Sequence, residues 1–358
     1  MPEMSPQAVY VAALGASTPV GRDAWSSAAA VRAGVSGFAA HPHMIDSAGE
    51  PIRVAMAPWL DTDCRGLDRF EALLLPAIEQ AVAPAADPSG AGMRIALAVG
   101  LPPARPGLPA GLAEELRARV SKRLPGRFSA VAVLPTGHAA GLVGLRAAWP
   151  RVASGEFDAC VLAGVESYID PKTLKWLEEN GQLHGAGRLN NAWGFIPGEA
   201  AGAVLFCRQQ TLDRLRMTAL ALVLGVGTAV EPNRIKTDTV CLGEGLTAAF
   251  RQCLAGLPPG AVVTDVFCDM NGEPYRADEY GFACLRTREA FRSASDFGAP
   301  ADCWGDVSAA SAPLAMMLAA IAGRKAYASG PYAVVWASSE TGERGAGLLG
   351  LPLVGRPQ

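Results

Sequence analysis

Two segments far apart in the chain carry the side chains best suited to chemistry. In residues 133–148, VLPTGHAAGLVGLRAA, an apolar run stops at Pro135, turns through Thr136 and Gly137, and presents His138 just before small residues that open a helix. Residues 303–323, CWGDVSAASAPLAMMLAAIAG, echo this with a glycine turn, one polar residue (Asp306), and then small residues entering a helix. A histidine in such a turn can act as a base or, less well, as an acyl acceptor. If the two segments are duplicates, His138 and Asp306 face each other as a His–Asp base dyad. Two such helices side by side aim their free N–H groups at one cavity, a setting for an oxyanion or a thioester carbonyl. A third segment, NGEPYRADE at 271–279, brings Asn271, Glu273, Arg276 and Asp278. Arg276 there could grip a carboxylate or phosphate, or simply pair with Asp278 to shape the loop.

The elements that must position these groups alternate in type. Strands are expected at 9–14 (VYVAAL), 94–99, 130–134, 157–163 and 262–268, and near the C-terminus in PYAVVWASS and GAGLLGLPLV. Helices are expected at 25–34, at 70–82 with a kink or break at Pro76, at 112–120 on the surface, from the His138 turn to about 149, at 174–179, at 246–257, and after the Asp306 turn. WGFIPGEAAGAVLF reads as a glycine-rich turn feeding a strand. TALALVLGVGTAV from 218 repeats the first strand and its turn, and DMNGEPYRADEYGFA reads as a polar segment. Strands alternating with helices indicate an α/β protein with a parallel sheet, and the echo divides it into halves at 1–212 and 213–358.

Composition narrows the function classes. Half of the 358 residues are apolar, 18% are charged, and the net charge is -3 without long runs of either sign. A nucleic-acid surface or a polybasic membrane patch is therefore not expected. The first basic residue is Arg22, so the charged start of a signal peptide is missing, and no apolar stretch is long enough for a membrane span. Eight cysteines lack any CxxC spacing, and Cys160 and Cys207 sit inside apolar runs. Disulfides and zinc are not expected, and a reducing cytoplasm fits best. No GxGxxG follows a strand and GxxxxGK is absent, so no nucleotide cofactor is expected. His41, His43 and His184 lie in polar, turn-rich sequence and receive no role.

Several motifs in order resemble those of the β-ketoacyl-acyl-carrier-protein synthase (3-oxoacyl-ACP synthase) family of the thiolase superfamily. VAALGASTPVGRDAW resembles the family's opening strand and TPxG turn. FDACVLAGVESYIDP resembles the strand after the nucleophile helix, and GFIPGEAAGAVLF the GFVxGEGAG segment, with Glu199 at its glutamate. The resemblance implies a five-layer α-β-α-β-α architecture of two similar halves. It also implies a homodimer formed through a strand such as FSAVAVLP, an acyl-carrier-protein or acyl-CoA thioester as ligand, and fatty-acid or polyketide chemistry. It places His138 at the position of the family's nucleophilic cysteine, Asn271 and Asp306 at those of its two histidines, and Asp278 at its acidic position. The lysine before the second histidine turn has no counterpart in APADCWGD, and the Gly-Phe-Gly-Gly loop is replaced by SSETGERGAG.

The whole Cys-His-His set is thus replaced, and chemistry decides what survives. A thiolate at a helix N-terminus is a strong nucleophile, whereas an acyl-imidazole hydrolyses readily and stores the acyl group poorly. An ionised Asp306 repels a malonyl carboxylate, so ordinary condensation is not expected. Three readings remain open. The first is a non-condensing homologue that binds an acyl group or carrier protein, or that partners an active ketosynthase as a heterodimer. The second is a repurposed acyl-thioester decarboxylase, hydrolase or acyltransferase. It would use His138 with Asp306 and Asn271 as oxyanion donor, with Thr136, Glu273, Arg276, Asp278 and Ser308 around the substrate. The third is a scaffold without catalysis. Glu199 is expected to be structural. A metal held by His138, Asp306 and Asn271 is not expected, because asparagine is a weak ligand.

Overall fold

The computed structural model describes residues 8–86 and 88–352. Its strands are β1 (Val9–Ser17), β2 (Phe38–Ile45), β3 (Pro51–Ala55), β4 (Ile95–Gly100), β5 (Ala130–Leu134), β6 (Ala159–Ser167), β7 (Glu199–Arg208), β8 (Ala221–Val230), β9 (Asp265–Cys268), β10 (Tyr332–Ser338) and β11 (Glu343–Gly350). The helices are α1 (Ala24–Arg32), α2 (Gly66–Val82), α3 (Leu112–Arg123), α4 (Ala140–Ala153), α5 (Pro171–Glu179), α6 (Gln209–Leu215), α7 (Glu244–Leu254), α8 (Pro274–Thr287), α9 (Ala301–Trp304) and α10 (Ser311–Arg324).

Strand order exposes the duplication. The large sheet runs β5-β4-β6-β7-β1-β8-β11-β10-β9, and β2 and β3 form a separate hairpin. The first block, β5-β4-β6-β7-β1, has its opening strand β1 antiparallel to β7, then β7 antiparallel to β6, and parallel pairs beyond. The second block, β8-β11-β10-β9, repeats this: β8 antiparallel to β11, β11 antiparallel to β10, then β10 parallel to β9. The blocks meet where Val9–Val11 pair antiparallel with Ala221–Val223.

Helices complete five layers. Helices α2 and α3 cover the outer face of the first block, and α7 and α8 the outer face of the second. Between the blocks, α4 packs on β4, β6, β8 and β11, while α10 packs on β6, β7, β9 and β10. A helix sandwiched between two sheets must be apolar all round. Residues 312–323 of α10 are accordingly all buried, in a core with Leu142, Leu162, Val204 and Val335. Small residues let the central helices touch: a Cβ on Gly141 would lie 2.9 Å from the Ala312 Cβ. The expected α/β thiolase-like architecture is the one observed, but the sheet is mixed rather than parallel: five of its eight strand pairs are antiparallel, because β7 and β11 run against both of their neighbours.

Local expectations fail where packing outweighs propensity. Helix α2 runs unbroken through Pro76, because Leu73, Leu74, Ala77, Ile78 and Ala81 are fully buried on its inner face. An interior proline costs about 3 kcal/mol, which that much burial can exceed. Helix α4 likewise continues through Pro150 to Ala153. The supposed polar segment after Asp269 is mostly α8. Proline at its first turn favours the start of a helix, but the buried face contains Arg276 and Glu279 beside Tyr280, Ala283 and Cys284, which hides the apolar period. The β2–β3 hairpin has no clear signal in its sequence. Among the described residues, no helix is long and apolar enough to cross a membrane.

Candidate functional site

The two turns that open α4 and α10 lie together between the blocks. After β5 the chain passes Thr136 at φ -113, then Gly137 at φ 72, and makes a one-turn 3-10 helix, Gly137–Ala139, that carries His138 into α4. Before α10 it passes Val307 at φ -125, then Ser308 at φ 37, and makes the matching turn Ser308–Ala310. The backbone therefore pairs Gly137 with Ser308, and the duplicate of His138 is Ala309. Asp306 enters from the segment ahead of its turn, so the sequence echo aligned the two polar residues in a shifted register. The two still face each other. Asp306 is pinned by main-chain bonds to the glycine-rich segment: its N–H donates to the Ile196 carbonyl at 2.8 Å, and its carbonyl accepts from the Gly198 N–H at 2.9 Å.

His138 Nε2 lies 3.0 Å from both Asp306 Oδ1 and Asp306 Oδ2. Arg276 Nη2 lies 3.2 Å from the same nitrogen. If Nε2 carries a hydrogen it donates to Asp306; if it is bare it accepts from Arg276. In either tautomer this nitrogen is engaged. Asp306 Oδ1 also accepts the Ser308 N–H at 2.8 Å, and Oδ2 accepts the Asn271 amide at 2.6 Å. Asn271 directs the same amide nitrogen to Glu273 Oε2 at 2.9 Å, and its Oδ1 accepts the Glu273 N–H at 3.1 Å. Both amide hydrogens of Asn271 thus point at carboxylates rather than into open space.

Arg276 is the hub. It is 0% exposed, and its guanidinium donates to Asp269 Oδ2 at 2.8 Å, to the Ser338 carbonyl at 2.9 Å, and at longer range to Glu273 Oε2 at 3.5 Å. His138 and Asp306 are 3% and 4% exposed. Burial by itself would raise the Asp306 carboxyl pKa, but His138, Arg276 and the Ser308 N–H outweigh it and hold the group well below the usual carboxylate range. Burial would likewise discharge Arg276, yet Tyr275, Asp269, Glu273 and Asp306 keep it protonated well beyond an ordinary arginine.

A rim closes the mouth of this cluster. Tyr275 donates to Glu273 Oε2 at 2.5 Å, and Lys236 reaches Glu273 Oε1 at 3.0 Å and also pairs with Glu340. Ser339 Oγ accepts the Ala139 N–H at 2.9 Å, which occupies one of the free amide groups where α4 begins. Thr136 Oγ1 is buried without a hydrogen-bond partner among the described residues. The structure thus gathers His138, Asp306, Asn271, Glu273, Arg276, Ser308 and Thr136 around one point. Asp278 is the exception. It lies on the exposed side of α8, and Arg276 pairs with Asp269 and Glu273 instead of with it. One residue turns a helix by about 100°, so Asp278 faces solvent while the next residue, Glu279, is buried against Arg344.

Glu199 sits beneath the site as a support. It is fully buried, accepts a bidentate pair from Arg69 at 2.6 Å, the Ala57 N–H at 2.8 Å and the Ser167 hydroxyl at 2.8 Å. Sequence reasoning missed Asp269, Lys236, Tyr275, Ser339 and Glu340. Asp269 lies two residues before Asn271, where the NGEPYRADE segment begins, and its place at the end of a strand was the available signal. The thiols lie elsewhere, and burial pushes all eight upward, Cys160 and Cys207 to about 12 and Cys284 to about 11. Ligand atoms of Glu231, Cys241 and Glu279 approach within 4.8 Å of one another. Glu231 is already bonded to the Gly245 N–H, however, and Glu279 to Arg344, which suits a structural cluster.

Residues 118–211 match the family described as the N-terminal domain of beta-ketoacyl synthases. No curated protein matches the chain. Solved structures do. A structure described as a type II polyketide acyl-carrier protein in complex with its ketosynthase bound to the hexaketide is 16% identical, with a TM-score of 0.76, covering 97% of this chain and 100% of the other. The ishigamide ketosynthase/chain length factor is 16% identical, with a TM-score of 0.77, covering 96% and 99%. The ketosynthase from module 6 of the bacillaene synthase of Bacillus subtilis 168 is 15% identical, with a TM-score of 0.74, covering 96% and 72%. The chain has the thiolase-like fold of the ketosynthases, as its motifs implied.

Proposed function

We propose that this chain is a ketosynthase homologue that does not condense and that acts as a partner subunit, engaging an acyl carrier protein or an active ketosynthase of fatty-acid or polyketide type. One observation carries the reading: His138, at the turn where the resemblance puts the nucleophile, is buried and its Nε2 is held between Asp306 and Arg276. Covalent acyl transfer needs a free nucleophile at the helix start. Here the nitrogen is engaged, and the Arg276 guanidinium stands 3.2 Å from it, in the way of an incoming acyl group. Malonyl decarboxylation fares no better, since Asn271 points its donors at two carboxylates and Asp306 is held ionised.

Pairing has a suitable surface. Strand β5 is the terminal strand of its sheet, apolar and half-exposed, so its outer edge can align with a second subunit of the same fold. Two structural neighbours are a carrier protein in complex with its ketosynthase and a ketosynthase/chain length factor, which makes a heterodimer the first assembly to test and a homodimer the second. The reading also takes residues 1–212 and 213–358 as the two halves and the cytoplasm as the compartment, in keeping with eight unpaired cysteines.

The repurposed enzyme stands second, favoured by the 3.0 Å His138–Asp306 contact, which is the geometry of a base dyad. Intact-mass spectrometry after incubation with acyl- and malonyl-carrier-protein thioesters separates the two. The partner reading expects no adduct and no turnover, with carrier protein or a co-expressed ketosynthase retained on size-exclusion chromatography. Turnover that disappears in His138→Ala establishes the enzyme instead. Absence of turnover and of any retained partner leaves a scaffold.

A further inference from the structure

A groove of about 510 Å³ opens between α1 and α10, at the end of α10 opposite His138. The length of α10 therefore separates the groove from the buried cluster. Trp25, Ala29, Ile321 and Tyr327 supply its apolar lining, and among the described residues Arg32 and Lys325 are the charged ones that line it. The Arg32 guanidinium lies 4.1 Å from the centre of the Tyr327 ring, and Lys325 Nζ lies 5.4 Å from that of Trp25. Neither cation has a hydrogen bond or ion pair to an acidic side chain among the described residues. The large buried cations of this chain behave differently: Arg69, Arg105, Arg276 and Arg344 each meet a carboxylate.

Arg32 and Lys325 close the C-terminal ends of α1 and α10, and helix dipoles favour cations there. That explains two positive charges but not an open aromatic cleft between them, with Trp25 still 44% exposed. In a chain of net charge -3, a groove charged only by cations concentrates anions. Its volume falls within the roughly 300–1,000 Å³ of small-molecule clefts. Aromatic and aliphatic walls with a few convergent cations are the lining that an apolar body with one anionic end requires.

We propose that this groove binds an apolar monocarboxylate, its chain over Ile321, Ala29 and Trp25 and its carboxylate between Arg32 and Lys325. Such a site is separate from the His138 cluster and does not depend on the partner-subunit reading.

Calorimetric titration of the full chain with sodium decanoate tests it, with 1-decanol as the uncharged control. Saturable one-to-one binding is expected, weaker by about tenfold or more for 1-decanol and for the double variant Arg32→Glu, Lys325→Glu. Arg32→Gln with Lys325→Gln is the milder substitution, and thermal melting verifies that each variant is folded. His138→Ala leaves decanoate binding unchanged, so failure of the function proposed above and failure of this site are told apart. The proposal is overturned by absence of saturable decanoate binding, by equal affinity in the charge-reversed protein, or by equal affinity for decanol. It is also overturned if an acidic amphipathic peptide binds the groove in a charge-dependent way while decanoate does not.

Discussion

Replacing Arg276 with methionine removes the central charge of the buried cluster while keeping most of its volume, so the change is electrostatic rather than a cavity. The substitution strips Asp269 of its 2.8 Å guanidinium bond, Glu273 of its 3.5 Å contact and the Ser338 carbonyl of its 2.9 Å donor. Asp269 is left with the Ser338 N–H, 2.8 Å away, and is buried. Breaking a buried ion pair by removing one partner costs about 3–5 kcal/mol, mostly because the abandoned charge stays buried. Unfolding entropy near 2.1 cal/mol/K per residue gives about 0.75 kcal/mol/K for a chain this long, so one cooperative transition should fall by about 4–7 °C. Urea denaturation at neutral pH supplies the free energies. The double variant Arg276→Met, Asp269→Asn removes the stranded charge as well, and should recover about 1–3 kcal/mol of the loss. A loss under about 1 kcal/mol for Arg276→Met, or no recovery in the double variant, would refute the argument that charge pairing holds this site closed.

Acid stability reports on Asp306. Its carboxyl pKa in the folded protein lies below the unfolded value of about 3.9, so its contribution is complete above that pH and is lost as the pH falls from there towards the folded value. Denaturation curves between pH 2 and about 7 should show a flatter acid limb for Asp306→Asn than for the native protein, and identical limbs would contradict the assigned contacts. At Gly164 a Cβ would overlap the Ala309 carbonyl oxygen, a main-chain atom that cannot swing aside. Gly164→Ala should therefore be severely destabilising in urea melts or abolish soluble expression. Gly137→Ala meets looser space, with Pro103 Cδ 3.3 Å away as its one tight neighbour, and its cost should come mainly from the left-handed φ of 72. That conformation costs a residue bearing a Cβ about 1–2 kcal/mol, which the same melts would resolve. Native alkylation with iodoacetamide, followed by peptide mass mapping, should label Cys64 and Cys241 first, since the other six are buried. Finally, His138→Cys alone should not restore condensation in a carrier-protein assay, because Asn271, Asp306 and Arg276 remain. Product formation by that variant would show that the pocket is open.

Much of the architecture was legible because short-range patterns record it directly. The apolar runs of β1, β4, β6 and β10 and the small-residue helix α10 mark elements buried on every side, which periodicity and composition reveal. The resemblance of FDACVLAGVESYIDP and GFIPGEAAGAVLF to ketosynthase segments supplied the order in which those elements assemble, and it drew attention to His138, Asn271 and Asp306, which the fold brings together. What escaped were features decided by partners distant in sequence. Helix α8 hid its period because Arg276 and Glu279 face inward, and buried charges break an apolar stripe unless their partners are known. For the same reason its exposed Asp278 looks, in the sequence, like a site residue.

The sequence by itself determined that residues with acid–base potential stand at or beside two similar turns, and that the turn opening the first of the two helices carries a histidine and no cysteine. Tertiary structure alone decided what those residues do to one another. It shifted the duplicate register, so that Ser308 rather than Asp306 shares the left-handed position of Gly137, and it brought Asp306 to His138 through main-chain bonds to Ile196 and Gly198. It also placed Arg276 against the histidine. The physical reason is that strand and helix signals are carried by neighbours a few residues apart, whereas the state of a buried charge depends on every group that crosses to meet it, and here those groups come from five separate stretches of the chain, around residues 138, 236, 269–276, 306 and 339.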